Sequence, residues 1–463
     1  MLRAIARKIK PLVTARAAFG QKVSSMAVLT VQTREGLKHQ LIHKAASSFI
    51  LKISGSGLAF FLSIILARIL GTAGLGTYAY AMTWANLLSI PATLGIDQLI
   101  VREIAVYRTK CRWKLMTGLL RWSNCLVFAA SLVLTLASAL LVWMMQGGIN
   151  ELVKAVFLAM ITVPLTSMKN LRLGAMRGLN KIVLGQIPDS LVSPIMMIVV
   201  AILMGNMPIK INVFWILSSK ILVVTITFVL GSVWLWRSLP NEVKQVKPEY
   251  VGKQWFTAAL PFMFLGTIEL INARIDLIML GAIEDVTAVG IYAVVAGITQ
   301  LTAFVHHAAL GVIAPTIASL YCNGELRKIE RLIQTSVLGV FLGSLLIGSV
   351  VIGCSKYLLL VFGSEFVLGA AAMNILIGGQ IFNALTGPVG LVLNMSGHQN
   401  LTAIATGVSA LLNVILNAIL IPQWGIVGAA TATTCSIITI NIIKVFMMQK
   451  TLGISLYCLP KDY

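Results

Sequence analysis

Acidic residues are scarce in this chain: Asp and Glu number 15 against 36 Lys and Arg, for a formal net charge of +21. Charged residues of either sign make up 11% of the sequence, whereas soluble domains carry about 25%. So few acids leave no carboxylate set for acid–base or two-metal chemistry. The six cysteines (Cys111, Cys125, Cys322, Cys354, Cys435, Cys458) form no CxxC pair and no metal-ligand spacing. Neither a metal site nor a structural disulfide is expected, and Cys within apolar runs behaves as a small hydrophobe. The five histidines are scattered, with His306-His307 as their only adjacent pair. GxSxG, HExxH and Walker boxes are absent, and the glycines of 71–76 lack the Lys-Ser/Thr of a P-loop. These absences argue against an enzyme and predict no cofactor.

What is present is apolar: 58% of residues are hydrophobic and the mean hydropathy is +0.91. A chain of that composition cannot fold in water without exposing large apolar patches, so an all-α polytopic membrane protein is expected. Apolar spans lie at 47–69, 77–97, 122–145, 152–173, 183–205, 212–236, 254–280, 288–313, 332–353, 366–393, 401–421 and 425–448. That makes about twelve transmembrane helices.

One stretch occurs twice. Ala67–Ala81 reads ARILGTAGLGTYAYA and Met279–Ala296 reads MLGAIEDVTAVGIYAVVA. Leu70-Gly71, Gly76 and Tyr78-Ala79 answer to Leu280-Gly281, Gly290 and Tyr292-Ala293. Arg177-Gly178-Leu179-Asn180 is loosely echoed by Ser396-Gly397-His398-Gln399-Asn400. A repeated helix–turn–helix predicts two six-helix lobes, residues 47–236 and 254–450, related by an internal repeat. The polar segment 237–253 joins them.

Basic residues sort by turn. Among the odd-numbered turns only Lys210 and Lys356 are basic, whereas the even turns carry clusters such as Arg102–Arg121, Arg172–Lys181, Arg237–Lys253 and Arg327–Arg331. This asymmetry predicts cytoplasmic N- and C-termini. Residues 1–46, basic with Glu35 as their one acid, read as a cytoplasmic tail, with a transit peptide as the competing reading. Residues 451–463 form a short C-terminal tail. The aromatic and basic stretch 98–121 is expected at headgroup level, not on nucleic acid.

Charged side chains at bilayer depth need a partner or a wet cavity. The candidates are Lys52 and Arg68 in the first span, Asp97 closing the second, Asp189 in the fifth, Lys220 in the sixth, and Glu269, Arg274 and Asp276 in the seventh. Glu269 and Asp276 share a helix face and read as a carboxylate pair able to couple to a proton or sodium ion, with Asp97 and Asp189 as further candidates. Asp97 is also close enough to Arg102 to form an interfacial pair. Asp189, between Pro188 and Pro194, suggests a bent helix. Gln380 and Asn383 in the tenth span, and Ser409, Asn413 and Asn417 in the eleventh, form polar stripes suited to interhelix bonds or to sugar hydroxyls. Gly339, Gly343, Gly348 and Gly353 in the ninth span are expected to permit close packing.

Several stretches in order resemble the polysaccharide-biosynthesis (O-antigen, Wzx-type) flippases of the multidrug/oligosaccharidyl-lipid/polysaccharide exporter superfamily. They are Leu66–Gly71 with Gly76 and Tyr78, Ile275-Asp276 through Gly281 with Gly290-Ile291-Tyr292, Pro315 and its following turn, Ser396-Gly397-His398, Leu411–Asn417 and Ile421–Ala430. The resemblance implies transport of a lipid-linked oligosaccharide, such as an O-antigen or capsule unit on polyprenyl pyrophosphate, across the bacterial inner membrane. Two lobes would rock about a cavity to which Lys52, Arg68, Lys220, Arg274, Gln380, Asn383, Asn413 and Asn417 contribute. Membrane lipids, a coupling ion, and polymerase or glycosyltransferase partners would accompany that role. Relatives that move cell-wall precursor carry several arginines in the first span, where this chain has Lys52 and Arg68. A cation-coupled multidrug exporter of the same superfamily is the alternative.

Overall fold

The computed structural model describes residues 47, 48, 50–145, 150–206, 208 and 211–454. The basic N-terminal segment 1–46, Lys210, Cys458 and most of the C-terminal tail lie outside the described residues. Backbone contacts divide the chain into residues 1–51 and 52–463, and the packing described below belongs to the second unit.

Every described element is helical. In order they are α1 (Ile50–Ala92), α2 (Ile96–Thr109), α3 (Trp113–Met145), α4 (Glu151–Met160), α5 (Thr162–Gly178), α6 (Ile182–Ile187), a π turn (Pro188–Val192), α7 (Ser193–Gly205) and α8 (Val213–Ser238). The chain continues through α9 (Asn241–Gln245), α10 (Gly252–Ile283), α11 (Val286–Cys322), α12 (Leu326–Gly353), α13 (Ser355–Phe362), a 3₁₀ turn (Ser364–Gly369), α14 (Ala370–Thr386), α15 (Val389–Met395) and α16 (Gln399–Leu452). Among the described residues, ten helical stretches are long and apolar enough to cross a membrane. Large apolar side chains such as Leu346 and Phe446 stand exposed, as they must when the surrounding solvent is hydrocarbon.

Two of the ten are too long for one crossing. α1 has 43 residues and α16 has 54, or about 65 and 81 Å at 1.5 Å per residue, against about 30 Å of hydrocarbon. Each contains a glycine with positive φ: Gly71 at 69° and Gly425 at 52°. No L side chain sits comfortably there, so glycine supplies the break. In α16 the chain doubles back, because the Ser409 hydroxyl donates to the Ser436 carbonyl at 3.0 Å across 27 residues. The proline-flanked stretch around Asp189 forms a π turn between α6 and α7.

Two details, the end of the tenth span and the ninth-span glycines, differ from the sequence reading. The tenth span ends at Thr386, not 393, because Gly387 takes φ 67° and a separate helix, α15, follows. Within the stretch 98–121, Leu99, Ile100 and Ile104 of α2 pack inward and Trp255 Nε1 donates to the Tyr107 hydroxyl at 3.0 Å, while Arg102, Arg108, Lys110, Arg112, Lys114 and Arg121 are exposed. Of the ninth-span glycines, a Cβ on Gly348 would press on Ile377 and Ile381, while Gly339 and Gly353 face open space.

The repeated turns meet each other. A Cβ on Gly76 would lie 1.6 Å from the Val286 carbonyl oxygen, and one on Gly290 would lie 2.1 Å from that of Thr72. Each glycine thus abuts the carbonyl four residues before its counterpart, a reciprocal contact of the kind a two-fold axis generates. Further bonds close the same end. Arg68 donates to the Val361 and Leu360 carbonyls at 2.8 and 3.0 Å, tying the first span to the C-terminus of α13. The Thr72 hydroxyl donates to Glu365 Oε2 at 2.7 Å. Phe60 meets Phe362 edge-on, with ring centroids 5.6 Å apart.

Backbone-to-backbone contact leaves no room for a side chain, so Gly76→Leu and Gly290→Leu are each expected to destabilise the fold by about 1–3 kcal/mol. Thermal unfolding of the purified protein in detergent measures this. Gly339→Ala, which meets nothing, should leave the midpoint unchanged.

Candidate functional site

At the opposite end of the bundle, helices from both halves enclose an open-sided cavity of about 400 Å³. Its polar lining is Thr93, Asp97, Gln98, Asn170, Arg177 and Glu269, set among Ile90, Leu173, Phe262, Met263 and Leu270. Three features of the chain place these groups. Gly95, at φ 69°, turns the chain from α1 into α2 and lies so close to α10 that a Cβ would sit 2.4 Å from the Met263 nitrogen. Asp97 in the first turn of α2 thereby faces the cavity. On α5, Asn170, Leu173 and Arg177 are three and seven apart and share one stripe. On α10, Gly266 and Glu269 complete the wall.

Asp97 accepts from the Thr93 hydroxyl at 3.3 Å and from Gln98 Nε2 at 3.4 Å. Its partner is not Arg102, because Arg102 instead pairs with Glu103 at 2.9 Å. Arg177 acts on Asp97 electrostatically across the cavity. The lining thus offers two carboxylates, two amides and one guanidinium on an apolar frame. Such a set can bind hydroxyls by hydrogen bonds and a phosphate by the planar guanidinium fork.

The candidates named from sequence fall in different places. Glu269 and Asp97 share this cavity. Asp276, two turns along α10 from Glu269, is 8% exposed and turned inward. There the Tyr292 hydroxyl donates to its Oδ2 at 2.7 Å, the Leu277 amide donates to its Oδ1 at 2.9 Å, and Tyr292 also meets Thr433 Oγ1 at 3.4 Å. The two carboxylates therefore do not line one cavity. Arg274 is exposed within electrostatic reach of Asp276, and Lys52 is exposed. Arg68 serves the closed end described above.

Asn413 and Asn417 are buried, and the Asn417 amide donates to Asn413, both to its carbonyl at 2.9 Å and to its side chain. Asn383 accepts from Asn441 Nδ2 at 2.9 Å and donates through its own Nδ2 to Gln380 Oε1 at 3.4 Å. The Asn383–Asn441 bond joins α14 to α16, whereas Asn413 and Asn417 bond each other along one helix. Asp189 and Lys220 lie inside the first half with Arg172 and Lys169. Arg172 and Arg177, read from sequence as topology charges in a loop, belong to the helix itself, because the fourth span runs on to Gly178. The spacing of Asn170 and Arg177 is the signal that could have placed them in a site. Among the described residues, no group of three or more His, Cys, Asp and Glu is placed to hold a metal ion.

Replacing Tyr292 by Phe removes the hydroxyl that holds a buried carboxylate, at a cost of about 1–3 kcal/mol. Tyr292→Phe is expected to lower the thermal midpoint, while Glu269→Gln, exposed in the cavity, leaves it unchanged. Unfolding curves of the two variants side by side check the division between the packed and the cavity carboxylate.

The chain is 32% identical over 168 residues to the probable low-salt glycan biosynthesis flippase Agl15 of Haloferax volcanii, covering 35% of this chain and 34% of that protein. The match thus spans about a third of the relative's length. Among solved structures, a multidrug resistance MATE family transporter of the MOP superfamily, in an inward-facing conformation, superposes with TM-score 0.71 at 12% identity, covering 88% of this chain and 98% of that one. The lipid II flippase MurJ in an inward closed conformation gives TM-score 0.68 at 14% identity, covering 88% and 87%. At these identities the likeness is one of fold. A MatE family model matches residues 261–419. The model of the family described as polysaccharide biosynthesis protein matches residues 41–321, more than half of the sequence, and the chain belongs to that family.

Proposed function

We propose that this protein flips a lipid-linked oligosaccharide across the membrane by alternating access of two six-helix lobes, residues 47–236 and 254–450, hinged by 237–253. Splitting α1 at Gly71 and α16 at Gly425 supports twelve crossings, and the charge asymmetry of the turns favours cytoplasmic termini. One observation carries the reading. Contacts between the two halves close one end of the bundle through Gly76, Gly290, Arg68 and Thr72, while a polar cavity shared by both halves opens near the other.

The cargo's chemistry fits such a cavity. A phosphate-linked glycan cannot pass unaided through hydrocarbon, since its charges and hydroxyls would lose their hydration. Arg177 meets the phosphate, Gln98, Asn170 and Asp97 meet sugar hydroxyls, and the polyprenyl tail stays in lipid between the lobes. Glu269 and Asp97 are the groups placed to exchange a coupling proton or sodium ion. The protein is a transporter, not an enzyme, and its partners are membrane lipids together with the glycosyltransferases or polymerase that make and use the cargo. A bacterial inner membrane is the site that the resemblance to O-antigen flippases favours, and the flippase Agl15 is named for glycan biosynthesis in an archaeon.

The match of the MatE model to residues 261–419 favours a second reading, a cation-coupled drug exporter. One deletion strain separates the two. Loss of surface glycan without sensitivity to cationic drugs is expected, restored by the wild-type gene and reduced with Arg177→Ala or Glu269→Ala at normal protein level in the membrane. Drug sensitivity with intact surface glycan would instead establish the exporter.

A further inference from the structure

A separate cluster of charge lies inside the first half. Asp189, carried on the π turn, forms an ion pair with Arg172 of α5. Arg172 also donates through NH1 to the Thr227 and Phe228 carbonyls of α8 at 3.1 and 3.4 Å, and it is 4% exposed. The fit is tight, since a Cβ on Gly231 would lie 1.5 Å from that nitrogen. Yet Arg172 Nε is buried with no hydrogen-bond partner. Lys169, one turn before Arg172 on α5, and Lys220 on α8 both act electrostatically on Asp189 and on each other. Neither comes within ion-pair distance of Asp189: among the described residues Asp189 pairs with Arg172 alone.

Three cations therefore surround one carboxylate in an apolar bundle, and the carboxylate is already engaged. Two positive charges remain uncompensated where such charges are costly. The cluster is distinct from the cavity, because Lys169 and Arg172 stand on a face of α5 roughly 100° from that of Asn170, Leu173 and Arg177. We propose that Lys169, Lys220 and the free edge of Arg172 form an anion site, separate from the cavity between the halves, that takes a small inorganic anion of chloride or phosphate size. Arg172 and Asp189 hold the frame, and the two lysine ammonium groups close on the anion from α5 and α8. The site makes Asp189 a poor acceptor for a coupling cation, since a fixed guanidinium already occupies that role.

Thermal unfolding of the full-length protein in neutral detergent tests this, with chloride or inorganic phosphate titrated into sodium gluconate. A saturable rise in midpoint is expected, because a ligand that binds only the folded state stabilises it. The double variant Lys169→Met/Lys220→Met should raise the half-saturating concentration by about tenfold or more, through loss of charge-assisted contacts. Lys220→Gln alone gives the same direction if the double variant does not fold. Lys220→Arg and the exposed control Arg274→Ala should respond like the wild type. No saturable rise, or an equal rise in the Met and Gln variants, overturns the proposal. A rise seen only in nanodiscs containing phosphatidic acid, and not with inorganic anions, overturns it too and assigns the cluster to lipid phosphate.

Discussion

The contact between Gly76 and Gly290 is the constraint on which the rest of the arrangement depends. Each glycine lets the backbone of the other copy approach to a distance that even a methyl group would forbid. In hydrocarbon there is no hydrophobic drive between apolar helices, so close backbone packing and interhelix hydrogen bonds must supply the association. The reciprocal placement means that one sequence motif, used twice, makes both sides of the interface. Around it gather the longer-range bonds of the same end, Arg68 to α13 and Thr72 to Glu365, joining residues nearly 300 apart in the chain.

Charge is distributed by the same economy of partners. Asp276 is buried and fully engaged by Tyr292 and its own backbone, so it strengthens the contact between α10 and α11. Glu269, on the same helix, is left exposed to a cavity shared with Asp97 and Arg177. Two of the neutral polar pairs do as Asp276 does: Asn383 with Asn441 and Ser409 with Ser436 hold helix to helix, while Asn417 bonds Asn413 one turn earlier on its own helix. What separates a packing group from a site group here is the presence of a partner, not depth in the membrane. By that measure the cavity carboxylates and the lysines beside Asp189 are the groups left with capacity to bind something else.

Closure at one end and a polar cavity towards the other is the geometry that alternating access requires. The closed end is held by glycine contacts and a few hydrogen bonds. The cavity end combines a tight crossing at Gly95 with wet walls on α2, α5 and α10.

Much of this protein was legible in residue order alone. Hydropathy runs gave the helices, because hydrocarbon admits little else. The duplicated turn, with Gly71, Gly76 and Gly290, marked the residues around which the fold is built, and the prolines about Asp189 marked the π turn. The family resemblance is borne out. Only the tertiary structure decided which polar side chains meet. Helical spacing placed Glu269 and Asp276 on one face, but what lies opposite each is set by other helices, and one meets Tyr292 while the other lines a cavity with Asp97 and Arg177. Arg68 found carbonyls nearly 300 residues away, and Arg172, counted with the loop charges, turned inward to Asp189. A sequence fixes which side chains leave a helix together; the partner each one reaches depends on how neighbouring helices pack, and that information is spread over the whole chain.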